Sequence, residues 1–153
     1  MISVYRLVSP KWTTSALSGE GARLYGGRWN SPGRPMVYLG SSRALTALEL
    51  LVHLTTPASR AKSYAFTEIT LPREGVKMLP KALLADDWKD SPPGKSTQAL
   101  GDEWLEDGTS LGLWVPSALI PEERNLLVNP RHPSMALVKS SAATSFTFDM
   151  RLQ

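Results

Sequence analysis

The sequence predicts an α+β domain with a mixed or antiparallel sheet, and three observations carry that prediction. Short apolar or alternating runs recur along the whole chain; helical periodicity is confined to a few segments between them; and the two never settle into regular strand–helix–strand alternation. A doubly wound parallel fold does not fit that pattern. With 153 residues there is enough chain for one core and too little for two, so 1–153 is a single compact domain. Hydrophobic residues at 42% against 20% charged ones give a globular rather than a disordered balance.

Taken in order, Ile2–Val8 alternates as a strand, with Ile2, Val4, Arg6 and Val8 on one face. A guanidinium beside three β-branched residues must find an anion or reach an edge, so Arg6 is either a phosphate ligand or half of a structural ion pair. Residues 10–23 are small and polar, a loop or short helix. Gly26 and Gly27 permit backbone shapes closed to other residues, and Pro32, Gly33 and Pro35 bracket a second tight turn. The run 36–39 is a short strand with Val37 and Leu39 on one side and Met36 and Tyr38 on the other, covered on both.

A helix follows the Ser41/Ser42 pair, which supplies its N-cap, with Ala44, Leu45, Leu48, Leu51 and Val52 as its apolar stripe and Glu49 at the edge. His53, one turn on, is a possible hydrogen-bond partner for Glu49. Pro57 closes that element. Ser63–Leu71 is a second alternating strand, 76–79 a short one, 80–88 a short helix, and Ser96 the N-cap of a helix ended by Gly108. Strands are predicted at 111–115, Arg124–Val128, 135–139 and 145–150, with a turn at 118–123 and a rigid loop at 129–133.

Composition excludes several functions. Without cysteine there is no disulfide framework or thiolate metal site, and two histidines with no metal-spaced partners make metal independence the expectation. The N-terminus carries no basic leader, and no apolar run approaches the length of a membrane span, so a soluble, cytoplasmic protein is expected. Phosphate-binding loops, nucleophile elbows and zinc-protease motifs are absent, and GGRWNSPG has the wrong spacing for a dinucleotide turn.

The net charge of +3 is uneven. Eight basic residues face only Glu20 and Glu49 in residues 1–62, giving +6, and the remainder sums to −3. That asymmetry suits an anionic ligand, although scattered arginines also make an ordinary solvated surface. The acidic stretch 86–107 is assigned to a solvated face or a protein contact.

Residues 24–54 place three unlike side chains close in sequence: Arg28 after two glycines, Tyr38 in an apolar strand, and Glu49, the only acid between Gly21 and Ala65. A cation, an aromatic and a carboxylate suit a phosphorylated, ring-bearing small molecule. They also suit cleavage of a glycosidic bond that carries its own good leaving group. Nicotinamide leaves NAD without protonation, so one carboxylate opposing the positive charge that develops on the ribose suffices, with arginines on the diphosphate. The bland alternative makes Glu49 and His53 a helix-flank pair, Tyr38 a core residue and Ser117 a turn cap.

The sequence resembles the RES-domain family, the toxins of RES–Xre toxin–antitoxin pairs, named for an arginine, a glutamate and a serine. The resemblance rests on Tyr5-Arg6-Leu7, Gly27-Arg28-Trp29-Asn30-Ser31-Pro32-Gly33, Val37-Tyr38-Leu39, Ala44 through Glu49 to His53, Val115-Pro116-Ser117-Ala118, and Asn125 through Asn129-Pro130 to His132-Pro133. It implies an ADP-ribosyltransferase-like fold and an enzyme that consumes NAD as substrate, with no other cofactor. Arg28 and Glu49 match the signature arginine and glutamate. Arg28 and Arg6 are then anchoring cations, Tyr38 stacks on nicotinamide or its ribose, and Glu49 orients the ribose and opposes its charge. Ser117 matches the serine and hydrogen-bonds without attacking, with Ser134 as a rival; Asn125 and His132 are read as loop braces.

The QxE or ExE pair of arginine-specific ADP-ribosyltransferases is missing, so transfer to protein arginine is not supported. The resemblance also implies a cognate Xre-like helix-turn-helix antitoxin, operator DNA reached only through it, and a possible homo-oligomer within that complex. The acceptor of ADP-ribose is open between water, phosphate and protein. A different class, a non-enzymatic nucleic-acid binder, is suggested by the basic half, but such surfaces space aromatics on open strands and Tyr38 sits in an apolar one.

Overall fold

A computed structural model describes residues 1–153. The strands are β1 (Ile2–Val8), β2 (Val37–Gly40), β3 (Ser63–Leu71), β4 (Val76–Met78), β5 (Gly112–Pro116), β6 (Arg124–Val128), β7 (Lys139–Ser140) and β8 (Thr144–Thr147). They form one sheet in the order β4-β5-β6-β2-β1-β3-β7, with β8 also on β3. Only β4–β5 is parallel and every other pairing is antiparallel, so the sheet is mixed, as the sequence predicts.

Register assigns the faces, because directly opposed residues of antiparallel strands project to the same side. Val4 opposite Ile69, Val37 opposite Val128 and Leu39 opposite Leu126 build one fully buried cluster. Leu17, Met135 and Val138, from irregular chain and 3₁₀ turns, pack against it. The other face carries Tyr38, Leu127, Leu113 and Val115 toward one end and Leu7 with Phe66 toward the other. Two helices cover it: α2 (Arg43–Leu51) over the Leu7 cluster and α4 (Lys95–Asp107) over the Leu113 cluster. Two short helices complete the chain, α1 (Glu20–Tyr25) and α3 (Pro57–Ala61).

The helix that carries Glu49 begins where the serine pair predicts, with Ser42 Oγ accepting from the Leu45 N–H at 3.1 Å. Its buried face differs from the predicted stripe: Leu45 and Thr46 are buried and Ala47, Leu50 and Leu51 pack inward, whereas Ala44, Leu48 and Val52 are exposed. The cause is Gly40. A Cβ there would lie 2.0 Å from Thr46 Oγ1, so only a glycine lets α2 settle with its threonine against β2. Glu49, one turn beyond Leu45 and Thr46, is thereby turned toward the sheet.

Other expectations are corrected. Pro57 opens α3 within a Thr56/Ser59 capping box and closes nothing, since proline fits the first helical turn. Residues 80–88 form only a 3₁₀ turn at Lys81–Leu83, too short to cooperate as a helix. The cap of α4 is Gly94, and Ser96 Oγ instead donates to Asp87 at 2.6 Å. The apolar run 135–139 is mostly a 3₁₀ turn, Pro133–Leu137, because proline at its start favours a turn over a ladder. The closing strand at 145–150 is shorter and shifted, Thr144–Thr147.

Candidate functional site

Glu49 is half-buried, and both protein hydrogen bonds converge on one oxygen. Oε1 accepts from Ser117 Oγ at 2.7 Å and from Asn125 Nδ2 at 2.7 Å. Oε2 takes no hydrogen bond from the protein, and no lysine, arginine or histidine lies within ion-pair distance of the carboxylate. Neutral donors fix the group without cancelling its charge. His53, offered by the helical spacing, is exposed and makes no bond to it.

Ser117 is fully buried just beyond β5. Its hydroxyl donates to Glu49 and accepts from the backbone N–H of Leu119 and Ile120, each at 3.1 Å. One donor and two acceptor sites are all a hydroxyl has, so this serine is fully occupied as a brace and holds no lone pair for attack. It caps the turn, as one of the two sequence readings has it, and also hydrogen-bonds Glu49. Ser134 lies in the 3₁₀ turn whose neighbour Met135 packs on the opposite face of the sheet, away from Glu49.

Asn125 is where sequence reasoning missed most. It is a strand residue of β6, opposite Gly40 on one side and Val115 on the other, and it shares a face with Tyr38 two positions along the ladder. A lone amide in the predicted strand Arg124–Val128, on the parity of buried Leu127, is the available signal. His132 is the loop brace expected, with Nδ1 accepting from the Ser134 N–H at 3.0 Å.

Tyr38 lies at the centre of the same face. Its hydroxyl donates to Asn30 Oδ1 at 2.6 Å and accepts from the Trp29 N–H at 3.0 Å. Burial raises its pKa well above the usual phenol range, aided by the Asp102 charge and opposed only in part by the Trp29 N–H bond and the Arg28 charge. Asn30 is wholly buried and also donates to the carbonyls of Ala22 and Arg34, so it organises the turn from within. Gly27 is dictated by this contact: a Cβ there would come within 2.6 Å of the Tyr38 hydroxyl. The folded state therefore favours neutral Tyr38, which stabilises fully below the ordinary phenol pKa of 10.0 and is lost as pH rises above it. In urea titrations Tyr38→Phe should cost about 1–3 kcal/mol, by orphaning Asn30 Oδ1 and the Trp29 N–H, and should flatten the decline in stability above that pH.

The turn bearing Arg28 is clamped to α4. Gln98 Nε2 donates to the Gly27 carbonyl at 3.1 Å, the Ser31 N–H donates to Asp102 at 3.0 Å, and Arg34 pairs with Asp102 and Glu106. Part of the acidic stretch 86–107 thus neutralises the basic turn internally, where a solvated face or a protein contact was expected. Arg28 itself is not neutralised. Its Nη1 donates to the carbonyls of Trp88 and Asp90, each at 2.9 Å, and no carboxylate reaches it.

Arg6 sits where β1 and β2 barely meet, their ladder having the single register pair Tyr5–Gly40. Its Nη1 donates to the Tyr38 carbonyl at 2.9 Å, Nε is buried without a partner, and no acid is in range. Burial lowers its pKa. Of the two roles offered for Arg6, the structural ion pair is not the one observed.

The structure therefore brings Tyr38, Glu49, Ser117 and the Arg28 turn to one face of the sheet, and sets Arg6 in the seam beside Tyr38. A carboxylate without a cation thus shares one face of the mixed sheet with a turn whose arginine has no carboxylate partner. The chain belongs to the RES domain family, whose model matches residues 3–149. It is 40% identical over 151 residues to Toxin Res of Yersinia enterocolitica, covering 98% of this chain and 99% of that one. It is 36% identical over 155 residues to the Prs ADP-ribosylating toxin of Sphingobium sp., covering 98% and 96%. A chain of the M. tuberculosis MbcT–MbcA toxin–antitoxin complex has the same fold, with a TM-score of 0.74 at 23% identity over 95% of this chain and 84% of that one.

Proposed function

We propose that this chain is the toxin of a type II toxin–antitoxin system, acting in the cytoplasm by breaking the nicotinamide–ribose bond of NAD. The observation that carries the proposal is the Glu49 carboxylate, held by two neutral donors with its second oxygen free and no protein cation beside it. An unpaired anion on a rigid support stabilises positive charge that arises only during reaction. In the proposed step the C1′–N bond breaks, nicotinamide departs neutral with the bonding pair, and Glu49 opposes the charge left on the ribose. Water or inorganic phosphate then adds at C1′ and gives up a proton. NAD is the substrate, and the step requires no metal or further cofactor.

Arg28 and Arg6, lacking carboxylate partners, are assigned to the diphosphate, and the Tyr38 ring to nicotinamide or its ribose. Arg28→Ala should raise KM for NAD by about tenfold or more with a smaller change in kcat, as expected of a cation that binds ground and transition states alike. A KM at the wild-type value would remove Arg28 from the diphosphate site.

Transfer to a protein is kept as a second reading because one relative is named an ADP-ribosylating toxin. Purified protein incubated with labelled NAD, with and without phosphate and cell extract, separates the acceptors. Free nicotinamide with ADP-ribose or its 1-phosphate supports the small acceptors, whereas labelled protein bands without bulk NAD loss support transfer. The neutralising partner is proposed to be an Xre-family helix-turn-helix protein that also brings the toxin to operator DNA.

A further inference from the structure

We propose that Asn125 is a positioning residue for the reaction, holding Glu49 in place while leaving its charge undiminished. The inference rests on the functional proposal above. Three observations support it. Asn125 Nδ2 lies 2.7 Å from Glu49 Oε1 and shares that oxygen with Ser117, so the carboxylate is gripped from two elements distant in sequence. Its backbone is paired on both sides, to Gly40 of β2 and Val115 of β5, so the donor stands in the interior of the sheet, on a support stiffer than a loop. Its chemistry is also selective: a lysine or arginine at this place would hold the carboxylate equally well and neutralise it, whereas an amide donates without a charge of its own.

Grip from neutral groups alone lets Glu49 face a cation that exists only in the transition state. Ser117 cannot supply it unaided, because that hydroxyl is also shared with two backbone N–H groups of the following turn. Removing the amide leaves the carboxylate pivoting about one contact.

The test uses the full-length chain, with nicotinamide release from NAD followed as a function of pH and thermal unfolding as the control for folding. Asn125→Ala should lower kcat by about tenfold to a hundredfold with KM within about twofold of wild type. Asn125→Asp is nearly isosteric and sets a second carboxylate against Oε1. The two acids then share a proton, and the acid limb of the kcat profile should move up by about one pH unit or more. Carbon-13 NMR of the Glu49 carboxyl should show the same upward displacement of its titration, whether or not NAD is turned over.

A wild-type chain that releases no nicotinamide, yet shows the NMR displacement in Asn125→Asp, overturns the functional proposal and leaves the contact itself standing. Folded Asn125→Ala and Asn125→Asp proteins with wild-type kcat and an unmoved Glu49 titration overturn the positioning role.

Discussion

Replacing Glu49 with glutamine is expected to lower NAD turnover by about 10²–10³-fold while the protein stays folded, the order of loss that follows removal of one preorganised electrostatic group from an active site. The substitution is chosen for what it preserves. The amide oxygen still accepts from Ser117 and Asn125, the volume is unchanged, and only the charge is lost. Because Glu49 takes part in no protein ion pair, no buried cation is stranded and stability should change by less than about 0.5 kcal/mol. Initial rates of nicotinamide release, beside a urea titration of each protein, check both halves. A Glu49→Gln enzyme at the wild-type rate would mean that a fixed dipole suffices, and the role assigned to the carboxylate would be wrong.

The second large effect concerns packing. Gly40→Val should destabilise the domain by about 3 kcal/mol, at the upper end of ordinary overpacking, because the new Cβ falls 2.0 Å from Thr46 Oγ1 and 3.0 Å from the Thr46 backbone nitrogen. Rotating one side chain relieves the first contact and not the second. Thr46→Ala in the same chain should therefore recover only part of the loss. Activity should fall even where the variant folds, since lifting α2 from β2 withdraws Glu49 from Ser117 and Asn125. Equilibrium unfolding of the two single variants and the double variant gives the coupling directly. Full recovery of stability by Thr46→Ala would show that the helix approach is set elsewhere.

Much of the fold was legible because local signals agreed with the final packing. β1 and β3 have the bounds their alternation predicts, β6 has the predicted bounds, the serine pair caps α2, and Gly108 ends α4 in the left-handed conformation. What was illegible depended on contacts across the chain. Nothing near residues 43–51 says that Gly40 will admit Thr46 in place of Leu48, so the apolar periodicity selected the wrong face. The run 135–139 is apolar because it covers a core cluster, which a 3₁₀ turn does as well as a strand.

The site divides in the same way. Glu49 stood out as a solitary acid, but the two groups that hold it are 68 and 76 residues away, and no spacing rule links them. Family resemblance alone points to Ser117, and Asn125, read from sequence as a loop brace, is a strand residue bonded to Glu49. The arginines were counted together, whereas the structure sorts them. Arg23, Arg34, Arg43 and Arg151 have carboxylate partners, whereas Arg6, Arg28, Arg60, Arg73, Arg124 and Arg131 do not; Arg6 is set apart by its bond to the Tyr38 carbonyl, and Arg28 by its place in the turn that holds the Tyr38 hydroxyl. Place in the fold, which composition cannot express, is what sets these two apart.

The central claim is that Glu49 presents uncancelled negative charge where a ribosyl cation forms. Calorimetric binding of a cationic iminoribitol and its neutral ribose counterpart measures that most directly. Wild type should prefer the cation by about tenfold or more, and Glu49→Gln should bind the two alike. Equal affinities in wild type, or a preference that survives in Glu49→Gln, would contradict the account.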